Sequence, residues 1–130
     1  MAFQRKEVAE LNLFVYGIVS LNHKDNPFIS RHSQLLSSEA WVRGVLYDTG
    51  LGFPALTSGE DKVSGKLLAM GDVAFETVSE LASNFNRMNP PYRFELKSVQ
   101  VFTGAVTYEA SAYMYATGHG LTRIESGIWL

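Results

Sequence analysis

The chain has 130 residues, of which 46% are hydrophobic and 18% charged, with a formal net charge of −2. This length and balance predict a single soluble domain spanning residues 1–130 and exclude a disordered chain. The charge is near zero with no basic stripe, which removes the attraction that nucleic acid or an anionic membrane needs. The absence of cysteine rules out disulfides, thiol nucleophiles and thiolate metal sites.

The first apolar run, Leu11-Asn12-Leu13-Phe14-Val15-Tyr16-Gly17-Ile18-Val19-Ser20-Leu21, reads as a strand ending in a Tyr-Gly turn. Glycine there lets the backbone turn sharply and point N–H groups at one anion, a carboxylate or a phosphate. The run is too short for a membrane helix, which needs about 20 apolar residues. Its mixed-charge flank, Arg5-Lys6-Glu7, does not suit a signal peptide, so the expected compartment is the cytoplasm. Residues 22–38 are polar and broken by Pro27, and predict a long loop with a short helical turn around Leu35-Leu36. Trp41, Val42, Val45, Leu46 and Tyr47 predict a buried strand over Ala40–Tyr47. Gly50, Gly52 and Pro54 punctuate a turn, and Ser58-Gly59-Glu60-Asp61 predicts another.

Val63, Gly65, Leu67 and Ala69 then alternate with polar residues, as in a half-buried strand. After Asp72, a capping residue, the period changes. Phe75, Val78, Ala82 and Phe85 recur at helical spacing and predict an amphipathic helix from 73 to about 85, stopped by Asn89-Pro90-Pro91. Tyr92, Phe94 and Leu96 alternate until the apolar phase slips to Val99 and Val101, which predicts a β-bulge near Lys97-Ser98. Thr103-Gly104 is a tight turn, and Val106, Tyr108, Ala110, Ala112 and Met114 complete a hairpin. One main helix among several strands predicts an α+β domain with a small, mixed, barrel-like sheet.

Few side chains suggest chemistry on their own. His23, His32 and His119 are dispersed without metal-ligand spacing. Glu76 and Glu80 lie opposite the apolar helix face, where solvated charges belong. Ser20 has no partner base nearby and reads as a turn hydroxyl. Glu109 sits with Thr107 and Ser111 on the polar side of a strand, and supplies a cavity carboxylate only if that side lines a cavity. Tyr16 and Tyr92 read equally as ligand contacts or as core aromatics, whereas Trp41 and Trp129 read as packing residues.

Taken in order, the short motifs resemble the γ-glutamylcyclotransferase-like family. These are Tyr16-Gly17-Ile18-Val19, Gly44-Val45-Leu46-Tyr47-Asp48, Phe53-Pro54-Ala55-Leu56, Val63-Ser64-Gly65-Lys66-Leu67, Tyr92-Arg93 and Ser126-Gly127-Ile128-Trp129. The resemblance implies a mixed barrel with a cavity at one end and no cofactor. It implies that the Tyr-Gly turn binds the carboxylate of a γ-glutamyl group, with Tyr16, Gly17, Ile18, Val19, Asn86 and Tyr92 as ligand contacts. It also implies a glutamate after the helix, in a Leu-Asp-x-x-Glu-Gly stretch, that moves the protons while the substrate amine closes 5-oxoproline. The tethered amine gives that ring closure a high effective molarity.

Here Leu81-Ala82-Ser83-Asn84-Phe85-Asn86 occupies that stretch, with Phe85 or Asn86 at the glutamate and Ala82 at the aspartate. Neither residue accepts a proton near neutral pH. The expected function is therefore binding of a small carboxylate or γ-glutamyl-type ligand without the glutamate-driven reaction. The alternatives are an active γ-glutamylamine cyclotransferase using Glu109 or another acid, and a non-catalytic interaction protein.

Overall fold

The computed structural model describes residues 11–17, 31–88, 93–104 and 106–129. The expectations placed on Ile18, Val19, Ser20, His23, Pro27, Tyr92 and the Asn89-Pro90-Pro91 stop lie outside these residues. The elements are β1 (Leu11–Val15), β2 (Ser33–Asp48), β3 (Pro54–Met70), α1 (Asp72–Met88), β4 (Glu95–Phe102), β5 (Thr107–Met114) and β6 (Thr122–Arg123).

Five strands close on themselves in the order β3-β1-β5-β4-β2 and back to β3, and β6 adds to β2. The β1–β5 pair is parallel and the other pairs are antiparallel, so the barrel is mixed, as the sequence predicts. Leu13, Phe14, Leu46, Leu56, Val63, Leu67, Leu68 and Val101 are completely or almost completely buried. Side chains of this kind each contribute about 1.5–3 kcal/mol on burial. α1 adds Ala74, Val78 and Ala82 to the same core, one residue per helical turn. The helix runs to Met88, three residues past the expected end.

Three local expectations are corrected. Residues 33–38 are strand rather than loop or helical turn, pairing Ser33 with Met70 and Leu35 with Leu68. Register shifts at Leu35/Ser37 and Ser37/Ala40 interrupt that ladder and erase the alternation that would have marked it. Ser58-Gly59-Glu60-Asp61 is not a turn. It lies within β3, where Gly44 pairs with Asp61 but Val45 pairs with Thr57, leaving Ser58, Gly59 and Glu60 as a bulge. Conversely, no bulge interrupts β4, whose register with β5 runs unbroken from Glu95↔Met114 to Phe102↔Thr107. The apolar slip arises because buried Phe94 precedes the strand while Leu96 stays 40% exposed.

The C-terminal segment forms a strap across the barrel. Ile124 N–H donates to Leu46 O at 2.7 Å, and Ser64 N–H donates to Gly127 O at 2.9 Å. Gly127 has φ of +73°, and a Cβ there would meet the Lys62 carbonyl oxygen at 1.9 Å. Both the backbone conformation and the close approach demand glycine. Gly127→Ala is therefore expected to lower stability by about 1–3 kcal/mol, measured by urea unfolding. An unchanged midpoint would show that the strap contributes nothing.

Candidate functional site

The Tyr-Gly turn closes one end of the barrel. Tyr16 is 5% exposed, and its hydroxyl donates to the Tyr113 carbonyl at 2.5 Å. Burial pushes its pKa above the ordinary value of 10, against a smaller lowering by a backbone hydrogen bond from Leu56. Two residues beyond Tyr113, the Tyr115 N–H donates to Leu56 O at 2.8 Å, so the ends of β1 and β5 meet the start of β3 here. Gly17 takes φ of +131°, and a Cβ on it would lie 2.6 Å from the Trp129 ring. The strap thus ends with its indole against the turn. Among the described residues, no backbone group accepts a hydrogen bond from the Gly17 N–H.

An aromatic cluster stands next to this end. The Phe85 ring on α1 lies 4.8 Å from Phe53 and 5.8 Å from Phe94, edge to face in both cases. Phe94 in turn lies 5.7 Å from Tyr115. Such pairs add about 0.5–1.5 kcal/mol beyond their buried area. Asn86 fixes the geometry. Its Nδ2 donates to Phe94 O at 3.0 Å and its Oδ1 accepts from Phe94 N–H at 2.8 Å, so the amide acts as one rung of a ladder between α1 and β4.

A half-open cleft of about 1000 Å³ begins at Tyr115 and runs along β4. Its charged side chains are Arg43, Glu60, Arg93, Glu95 and Lys97. At its end the barrel closes through one registered β2–β4 pair, Trp41↔Phe102, whose rings stack 4.5 Å apart. The Arg43 guanidinium lies 5.4 Å from the Trp41 ring centroid and 5.8 Å from that of Phe102.

Of the residues singled out in the sequence, Tyr16 and Gly17 stand together at the turn, and Asn86 sits beside the aromatic cluster with its amide engaged by Phe94. Tyr92, Ile18 and Val19 lie outside the described residues. Glu109 is exposed on β5, opposite Gln100, and its backbone carbonyl accepts from Asn12 Nδ2 at 3.2 Å. It lines neither the cleft along β4 nor the shallow grooves beside residues 31–34 and on the outer side of α1. Glu76 and Glu80 border a shallow groove on the outer side of α1 with Ser79, Asn84 and Arg87. Among the described residues, no three His, Cys, Asp or Glu side chains gather as metal ligands. No helix among them is long and apolar enough to cross a membrane.

Residues 13–130 match the family described as gamma-glutamyl cyclotransferase, AIG2-like. The chain belongs to this family. A curated relative, the gamma-L-glutamyl-butirosin B gamma-glutamyl cyclotransferase of Niallia circulans, is 28% identical over 104 residues, covering 80% of this chain and 66% of that protein. Among solved structures, protein ytfP of Escherichia coli superposes with a TM-score of 0.60 at 27% identity, covering 92% of this chain and 96% of that one. An uncharacterised Pyrococcus horikoshii protein gives a TM-score of 0.64 at 21% identity, covering 91% and 88%.

Within this gamma-glutamyl cyclotransferase-like frame, sequence reasoning missed the partners of Phe85. Phe53 was legible as part of a motif, but nothing in the spacing joined it to Phe94 and Tyr115. The cleft residues Arg43 and Glu60 were hidden for a different reason: Arg43 lies inside a run read as a buried strand and Glu60 inside one read as a turn.

Two measurements probe this geometry. Asn86→Ala leaves both Phe94 backbone groups without their partner and should cost about 1–3 kcal/mol; an unchanged urea midpoint would remove the tether from the account. For Tyr16, the folded state holds the proton more tightly than the unfolded chain does. Its contribution to stability is thus complete below about pH 10 and is lost as pH rises toward the folded-state pKa. Unfolding curves from pH 9 to 11 should show this decline in the wild type and a shallower one in Tyr16→Phe; equal slopes would contradict it.

Proposed function

We propose that this chain binds a small carboxylate-bearing, amino-acid-like ligand at the Tyr16–Gly17 turn without the glutamate-driven ring closure that yields 5-oxoproline. The observation that carries the reading is the surroundings of Phe85. Ungapped motif alignment puts this side chain, and a one-residue slip puts Asn86, where the resemblance implies the proton-transferring glutamate. Phe85 is packed edge to face against Phe53 and Phe94, and the Asn86 amide is engaged by Phe94. An apolar ring there can neither take nor deliver a proton. General acid–base catalysis is worth about 10²–10⁴-fold, and its loss is enough to reduce turnover to a trace. The Gly17 N–H, which has no backbone acceptor among the described residues and sits on a turn with positive φ, supports binding of an anion. The relative from Niallia circulans is named for a gamma-glutamyl substrate, which supports a γ-glutamyl-type ligand as the class to try first. The cysteine-free composition is compatible with a cytoplasmic setting, which forms part of the proposal.

The test offers several γ-glutamyl amines to the wild type and to Phe85→Glu and Glu109→Gln, following 5-oxoproline, with thermal shifts read alongside. A shift by ligand with no wild-type 5-oxoproline is expected, because a ligand that binds only the folded state raises its stability. Turnover appearing in Phe85→Glu would strengthen the reading. Wild-type turnover abolished by Glu109→Gln would overturn it in favour of an active cyclotransferase.

A further inference from the structure

We propose that the seam-side edge of β4 is a docking site for an extended acidic peptide, which binds by adding a strand inside the cleft. The inference uses none of the residues assigned to the carboxylate turn and does not depend on that reading.

β4 is fully paired on one side only. Against β5 its register is continuous from Glu95 to Phe102, whereas against β2 it has the single pair Trp41↔Phe102. The cause lies in β2, which changes partner along its length. Beyond Trp41 it leaves β4, and by Tyr47 and Asp48 it is paired instead with Arg123 and Thr122 of β6. The bulge of Ser58, Gly59 and Glu60 in β3 borders the same gap. Alternate residues between Glu95 and Val101 therefore turn their N–H and C=O groups toward a cleft of about 1000 Å³ in which no described strand pairs with them. An open row of alternating donors and acceptors is a template for another backbone.

The surroundings choose the occupant. The edge is recessed between the bulge and Tyr115-Ala116-Thr117, so a lone strand can enter it. The β4 of a second copy, flanked by its own cleft walls, cannot. Lys97 lies 3.4 Å from Glu95, so these two charges face each other at the surface. Among the described residues, Arg43 and Arg93 form no salt bridge, while Glu60 is the one unpaired acid in the cleft. Arg93 stands just before β4 and Arg43 beside its last residue, so two cations bracket the edge. Arg43 is pre-oriented by the Trp41 and Phe102 rings, which lowers the ordering cost of engaging a carboxylate.

The experiment titrates the isotopically labelled full chain with an N-acetylated, C-amidated heptapeptide of alternating threonine and glutamate, and reads amide shifts and hydrogen exchange. Two control peptides replace glutamate by lysine or carry N-methyl groups on alternate amides. The acidic peptide should protect alternate amides between Glu95 and Val101, with the N-methylated form weaker by about tenfold or more. The lysine peptide should also bind more weakly, and the Arg43→Glu/Arg93→Glu double variant should reverse the charge preference. Arg43 and Arg93 are both exposed, and retained amide dispersion in the double variant separates lost binding from lost folding. Equal affinity for the N-methylated peptide, no response at β4 up to ~1 mM peptide, or protection of the same amides by self-association alone would each overturn the proposal.

Discussion

The barrel depends on how β1 is held against β5. Only one registered pair, Leu13↔Ser111, joins these parallel strands, and parallel pairing is the weaker kind per residue. The buried hydrogen bond from the Tyr16 hydroxyl to the Tyr113 carbonyl lies beyond that pair and locks the end of β1 onto β5. A buried phenol must find a partner, and a carbonyl left without one would incur the same penalty, so each group constrains the other. From this anchor the site follows. Tyr16 sets where Gly17 turns, and Tyr115, two residues on from the acceptor, is placed beside Leu56 on one side and Phe94 on the other.

The strap and the turn form a second dependency. Gly127 crosses Lys62 and Ser64 at backbone distance, and the Trp129 indole ends against Gly17. The Ser-Gly-x-Trp ending is therefore a means of covering the turn from outside. Trp129, read in the sequence as a packing residue, packs against the core and also against the Gly17 backbone of the candidate site. A residue can be structural by contact and still set the shape of a binding turn.

Much of the fold was legible because it rests on periodicity. The strands expected around Val63–Ala69 and Tyr108–Met114, and the helix marked by Phe75, Val78, Ala82 and Phe85, are present, although Leu68 and Tyr113 are buried against the expected alternation. Two of the three misreadings share one physical origin. Residues 33–38 and 58–61 belong to long strands whose ladders are interrupted, and a bulge uses the same small polar residues that a turn uses. Local composition cannot separate the two, since the difference lies in what the partner strand does. The same limit hid the site. Phe53, Phe85, Phe94 and Tyr115 come from four separate segments, and their meeting is a consequence of closure that no local window contains.

The partner change of β2 links these observations. By giving its last residues to β6, β2 lets the chain return as a strap and reach Gly17; by doing so it abandons β4 beyond Trp41. Covering the turn and opening the seam are thus a single topological choice. The one remaining β2–β4 rung must then keep the barrel closed, and the stacked Trp41 and Phe102 rings, flanked by Arg43 and Lys62, supply side-chain attraction where a ladder of backbone bonds is missing. Two large aromatics and two cations thus sit partly exposed at that rung, where side-chain attraction accompanies a single registered pair.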